Sequence, residues 1–166
     1  LIVDLLEYAK SDSKIDEKEV IDLNVFIEQI FNSLVEHHHL SCSQLNIKPM
    51  PTIHYSKLAL HMVFYNLIDN ALKYRNQERM LELKINFKSD LFHYYFEVED
   101  NGIGISAEYY DMIFKPFKRL HTKAEFVGSG LGLATVKKIV QKLGGAISVK
   151  SVLGKGTKFI ITIPKE

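Results

Sequence analysis

The chain has 166 residues, of which 46% are hydrophobic and 25% charged, a balance that fits one globular domain with its own core and excludes a disordered polymer. A formal net charge of +1 supplies no global field to select nucleic acid or an anionic membrane surface. Cys42 is the single cysteine, which excludes an internal disulfide and a paired-cysteine metal site, and no apolar run reaches the roughly 18 residues of a membrane span.

In chain order, residues 1 to about 11 read as a short helix with Leu1, Leu5, Leu6, Tyr8 and Ala9 apolar. The opening on Leu1 rather than Met suggests a piece of a longer protein, and a cytoplasmic setting is expected. Residues 11 to 18 are polar and of mixed charge, as in a linker. Glu19 to Leu23 reads as a short strand. Asn24 is then expected to cap a helix running to about Glu36, with Val25, Ile30, Phe31 and Leu34 apolar. His37, His38 and His39 close it. Adjacent histidines point in different directions, so their place near a helix C-terminus favours the dipole over a metal as their role. Two short extended segments are expected around Pro49 and Pro51.

The next helix, about 56 to 75, carries the most information. Leu60, Val63, Phe64, Leu67, Ile68, Ala71 and Leu72 repeat with the helical period and form one apolar stripe. Asn66, Asn70 and Lys73 share a narrow arc off that stripe, and Tyr74 falls between the arc and the apolar edge. Asparagine competes for the backbone and is a mediocre helix former, so two on one arc are unusual for a purely structural helix. An Asn carbonyl oxygen can complete a Mg²⁺ shell and a lysine can meet a phosphate. Read alone, the same arc also suits a solvated face.

Two strands are expected at about 80 to 88 and 91 to 99, joined by a tight turn at Ser89 and Asp90. Asp100-Asn101-Gly102-Ile103-Gly104 follows directly. Its glycines allow close approach of backbone to a ligand, and the acidic residue can accept from an exocyclic amine such as that of adenine; a plain Asp-Asn-Gly turn is the alternative. Residues 100 to 130 form a long irregular connection, the usual form of a lid or binding loop. Within it, Phe114 and Phe117 are candidate anchors, and Lys115, Lys118 and Arg119 are candidate phosphate contacts. Gly128-Ser129-Gly130-Leu131-Gly132-Leu133 opens a helix running to about Leu143. Free N–H groups at such a start suit phosphate, although a hinge is the alternative, and the spacing matches neither a Walker loop nor a dinucleotide fingerprint. Strands at 146 to 150 and 157 to 163 flank a turn at Gly154-Lys155-Gly156.

The order of these motifs decides what no single one does. Asn-x-x-x-Asn-Ala-x-Lys-Tyr, Asp-x-Gly-x-Gly, Phe-x-Pro-Phe, Gly-x-Gly-Leu-Gly and Gly-x-Gly-Thr together resemble the catalytic ATP-binding domain of sensor histidine kinases, from about residue 20 to the end. That domain belongs with gyrase, the ninety-kilodalton heat-shock chaperone and the mismatch-repair ATPases. The run from Ile113 to Thr122 looks most like the phytochrome-type branch. The resemblance implies an α/β sandwich: a mixed sheet with helices packed on one face, and residues 1 to 18 as the end of a dimerisation and phosphoacceptor helix plus linker. It implies ATP and Mg²⁺ as cofactors. Asn70 would hold Mg²⁺, Asn66 and Lys73 would lie at the phosphates, and Tyr74 against adenine or ribose. Asp100 would read the adenine amine, with Thr157 supporting it through water. Gly102, Gly104 and Ile105 would line the base, and Gly128, Gly130, Leu131, Gly132 and Leu133 would shape the lid's end and the phosphate-facing helix start. Arg119 would come closest to the γ-phosphate.

The family's hydrolases commonly carry Glu where this chain has Asn66. An amide is a poor base, so water attack should be slow and the γ-phosphate kept for another acceptor, as in a kinase. None of His37, His38, His39, His54, His61, His93 or His121 has the acidic and proline context of the family's acceptor histidine, which is therefore expected upstream of Leu1. The resemblance further implies partners: the parent's own phosphoacceptor helix, a second copy through upstream helices, and a response regulator. It implies no nucleic acid and no direct membrane contact by this stretch. The alternatives are a serine kinase of the anti-sigma type, an ATPase, or a non-catalytic nucleotide-binding module.

Overall fold

Alternating side chains give the main sheet one apolar and one polar face. The protein's computed structural model describes residues 17–40, 43–118 and 129–165; the expected terminal helix, along with Arg119 and Gly128, lies outside them. Five strands, β2 (Ser43–Ile47), β4 (Leu81–Ser89), β5 (His93–Asp100), β6 (Ala146–Val152) and β7 (Gly156–Pro164), are arranged in the order β2-β4-β5-β7-β6. β2 pairs with β4 in parallel and the remaining pairs are antiparallel, so the sheet is mixed. Leu83, Ile85, Phe96, Val98, Phe159, Ile161 and Ile163 are buried on one face. Lys84, Glu97, Glu99 and Lys158 occupy the other, where Lys158 Nζ pairs with Glu99 at 2.8 Å.

Three helices supply the second layer: α1 (Leu23–His37), α2 (Lys57–Lys73) and α3 (Gly132–Lys142). The α2 stripe is buried as its period requires, from Ala59 and Leu60 to Ala71 and Leu72. Phe64 meets Phe96 of the sheet edge-to-face at 5.3 Å and Phe26 of α1 at 6.4 Å, linking both layers. A separate antiparallel pair, β1 (Glu19–Asp22) with β3 (Thr52–Tyr55), leads into α1 and α2.

Three local expectations change. α1 is capped by Asp22, whose carboxylate accepts from Val25 N at 3.1 Å, and not by Asn24. The helix starts before Asn24, and its amide instead ties down the next segment, accepting from Met50 N at 2.7 Å and donating to Lys48 O at 3.2 Å. The β4–β5 turn is wider than two residues: Asp90 Oδ1 accepts from both Phe92 N and His93 N, at 2.8 and 2.7 Å, which leaves Leu91 and Phe92 exposed at the tip. Of the two loop aromatics only Phe114 anchors, edge-to-face on Phe159 at 6.3 Å; Phe117 is 60% exposed.

Candidate functional site

Burying the α2 stripe turns its polar arc toward the start of α3. Asn66 is fixed by its Nδ2, which donates to Met62 O at 2.7 Å. A Cβ on Gly132 would stand 2.8 Å from Asn66 Oδ1, so only glycine lets α3 begin against this amide without displacing it. Among the described residues nothing caps α3 with a side chain, so its first-turn N–H groups have neither intrahelical nor capping partners there. Gly130, with φ +74°, and buried Leu131 lead into this start, and Leu133 packs against the core one residue beyond Gly132. About one helical turn of α2 further on, Asn70 Nδ2 is buried with no hydrogen-bond partner among the described residues.

Lys73 does not stand alone. Its Nζ pairs with Asp69 Oδ2 at 2.5 Å, and His38 Nε2 at the end of α1 lies 2.8 Å from Asp69 Oδ1. Of the histidine run, His38 thus stands at the end of α1 with one carboxylate partner, Asp69.

Tyr74 ends α2, and its carbonyl accepts from Ile103 N at 3.0 Å. The loop after β5 is pressed on this carbonyl: a Cβ on Gly102 would come within 2.5 Å of it. Gly104 has φ +72°, and a Cβ there would collide with the Val152 carbonyl oxygen. Asp100 Oδ1 accepts from Gly102 N at 2.8 Å and Thr157 N at 3.3 Å, which leaves Oδ2 without a donor among the described residues. Burial raises the Asp100 pKa from 3.8 to about 6; the Gly102 and Thr157 N–H groups oppose the rise, Glu99 adds to it, and Arg79 counters it. Ile105 N donates to Ser151 Oγ at 2.8 Å, next to Thr157.

Two groups of residues thus form. Asp100, Gly102, Gly104, Ile105, Thr157 and the end of α2 at Tyr74 make one. Asn66 and the Gly132 end of α3 make the other. Asn66 and Tyr74 lie about two helical turns apart, roughly 12 Å along α2, and Asn70 sits between them. A ligand with a planar, amine-bearing head and an anionic tail matches that layout in kind and in length.

Several residues of this region were not singled out from sequence. Asp69 carries a signal, since it stands four residues before Lys73. Arg79, whose Nη2 donates to Gly102 O at 3.1 Å and Gly154 O at 3.0 Å, carries none. Nor do Ser151 and Tyr110, whose bonds depend on strand register and on a loop folding back.

The fold is an α/β sandwich in which α2 runs between the two groups of residues. The chain belongs to the histidine kinase-, DNA gyrase B-, and HSP90-like ATPase family, whose model matches residues 55–166. It is 35% identical over 164 residues to cyanobacterial phytochrome A of Nostoc sp., covering 99% of this chain and 21% of that protein. It is 35% identical over 176 residues to the sensor protein kinase WalK of Staphylococcus epidermidis, covering 100% of this chain and 28% of that protein. The chain therefore spans about a fifth to a quarter of the length of these relatives. Among solved structures, full-length ShkA in complex with AMPPNP superposes with a TM-score of 0.80 at 25% identity, over 98% of this chain and 35% of that one.

Proposed function

We propose that this domain binds Mg·ATP and donates the γ-phosphate to a histidine elsewhere in its parent protein. One observation carries the proposal: α2 joins a largely enclosed carboxylate, Asp100, to a buried amide, Asn70, beside the start of α3, and among the described residues Asp100 Oδ2, Asn70 Nδ2 and that helix start have no side-chain partner. The relatives named as sensor kinase and phytochrome, and ShkA with its ATP analogue, support it. Residues 19 to 166 make up the catalytic domain on this reading, and residues 1 to 18 the end of the phosphoacceptor helix and linker. The parent works in the cytoplasm as a homodimer, with a response regulator downstream.

The residues present fit the magnesium ion. Asn70 offers a hard oxygen once its amide is turned, and in support no described residue hydrogen-bonds its Nδ2 to hold it the other way. Bound there, magnesium supplies charge neutralisation to the phosphates. Asp100 Oδ2 accepts the adenine amine, and Tyr74 closes the base end. The Lys73 ammonium, paired with Asp69, which His38 also contacts, would turn to the phosphates when nucleotide binds, and Arg119, outside the described residues, is the proposed further contact to the γ-phosphate. Asn66 orients a phosphate oxygen but cannot take a proton from water, so the γ-phosphorus waits for imidazole nitrogen. In the transfer a P–N bond forms, the bond to the ADP oxygen breaks, and the imidazole N–H proton leaves to solvent.

Calorimetric titration with ATP, with magnesium and with chelator, tests the reading on wild type and Asn70→Ala. Magnesium should tighten binding to wild type and not to the variant. Equal magnesium dependence in both proteins removes Asn70 from the site.

A further inference from the structure

Strand register puts Asp100, Thr157 and Ser151 in one row across three neighbouring strands. Asp100 of β5 is opposite Thr157 of β7, and Thr157 is opposite Ser151 of β6. Residues opposite each other share a face of the sheet, so the row extends the base-reading carboxylate sideways by two hydroxyls.

The hydroxyl protons of this row can be assigned. Ser151 Oγ lies 2.7 Å from Gly156 O, a carbonyl that only accepts, so the single Ser151 proton is committed there. Ile105 N donates to Ser151 Oγ at 2.8 Å and fills one of its two acceptor sites. The remaining contact, Thr157 Oγ1 at 2.9 Å, then has one consistent direction: Thr157 donates and Ser151 accepts. Ser151 is held firmly enough to impose this. Its N–H donates to the Tyr110 hydroxyl oxygen at 2.7 Å, and that hydroxyl returns its proton to Ser151 O at 2.6 Å.

We infer that Ser151 is a specificity-determining residue: it fixes the proton of Thr157 away from the base end, so that Thr157 Oγ1 and Asp100 Oδ2 together present only acceptors to a ligand. Such a wall takes a base edge that donates, directly or through a shared water, as a 6-amino purine does. It disfavours a 6-oxo purine, whose O6 would face acceptors on both sides. Nothing in Ser151 itself touches the ligand; it acts through Thr157, as a positioning residue. The inference rests on the proposal that an adenine nucleotide occupies this site.

The test compares ATP with inosine triphosphate, which differs at the 6-position, by titration on wild type, Ser151→Ala and Ser151→Thr. Wild type should prefer ATP. Ser151→Ala frees the Thr157 proton and should narrow the preference about tenfold, the worth of one hydrogen bond, while Ser151→Thr keeps the hydroxyl and should restore it. A purely structural Ser151 would weaken both nucleotides together and leave the ratio unchanged, which overturns the inference. Thr157→Val and Thr157→Ser give the same decision should Ser151→Ala fold poorly: the ratio should fall in the first and persist in the second, and a ratio unmoved by Thr157→Val also overturns it. A wild type without preference for ATP points instead to failure of the adenine reading.

Discussion

At the scale of single residues, Asp100 shows how function is set against stability. A carboxyl whose pKa rises from 3.8 to about 6 on folding takes up a proton between those values, so stability from this group is greatest below pH 4 and declines as pH climbs through about 6. Near pH 7 the buried charge costs on the order of 3 kcal/mol. The geometry shows what is gained: an oxygen with no donor among the described residues, on a carboxylate held in place by Gly102 and Thr157. Asp100→Asn keeps an oxygen for those two N–H groups and removes the charge. It should raise the melting temperature at pH 7 and have little effect near pH 4, as followed by thermal unfolding at both pH values. The same variant should weaken ATP binding by about 1.5–3 kcal/mol, since an amide N–H would confront the adenine amine. In wild type, ATP affinity should decline as pH falls through about 6, where the carboxyl protonates before ligand arrives. A flat affinity from pH 5 to 8 would separate Asp100 from the base.

At the scale of elements, the contact between α2 and α3 is decided by a missing side chain. Gly132 is helical, and replacing a helical glycine with alanine ordinarily stabilises by about 1 kcal/mol. Here the new Cβ would press on Asn66 Oδ1 at 2.8 Å, and Asn66 can yield only by loosening its bond to Met62 O. Gly132→Ala should therefore be close to neutral in chemical denaturation yet weaken nucleotide binding. In an Asn66→Ala background the same change should recover the full alanine benefit. Additive stabilities would show that the two residues are not in contact. The α2 face was legible in the sequence because a buried stripe with period 3.6 fixes the azimuth of every other residue, Asn66, Asn70 and Lys73 included. The start of α1 was not, because Asp22 and Asn24 are both good caps and only the docking of residues 48 to 50 on Asn24 distinguishes them. Asp69 could be read as a partner of Lys73 from its four-residue spacing. Its second partner, His38, comes from another helix and leaves no trace in local sequence. Ser151 belongs to the same class: its role depends on a turn length that sets which β6 residue faces Thr157.

At the scale of the whole molecule, the proposed site draws on four separate parts of the chain: α2, the loop after β5, the start of α3 and the β6–β7 pair. Arg79 already links two of them by donating to carbonyls of Gly102 and Gly154. A ligand spanning both ends binds only when all four are in register, and so it stabilises the folded state by mass action. At a hundredfold excess over Kd the gain is about 2.7 kcal/mol, which for a chain of 166 residues corresponds to a rise of about 5–11 °C in melting temperature. The two ends should contribute separably. Mg·ATP should produce the full shift, and adenosine, which lacks the anionic tail, a much smaller one at equal concentration. Mg·GTP should also fall short, because its 6-oxo group meets Asp100 Oδ2. Differential scanning calorimetry of the same protein with each compound decides between a two-ended site and a simple anion trap. In the second case Mg·GTP would shift the transition as far as Mg·ATP does, and neither the Asp100 carboxylate nor the row of hydroxyls beside it would be reading a base.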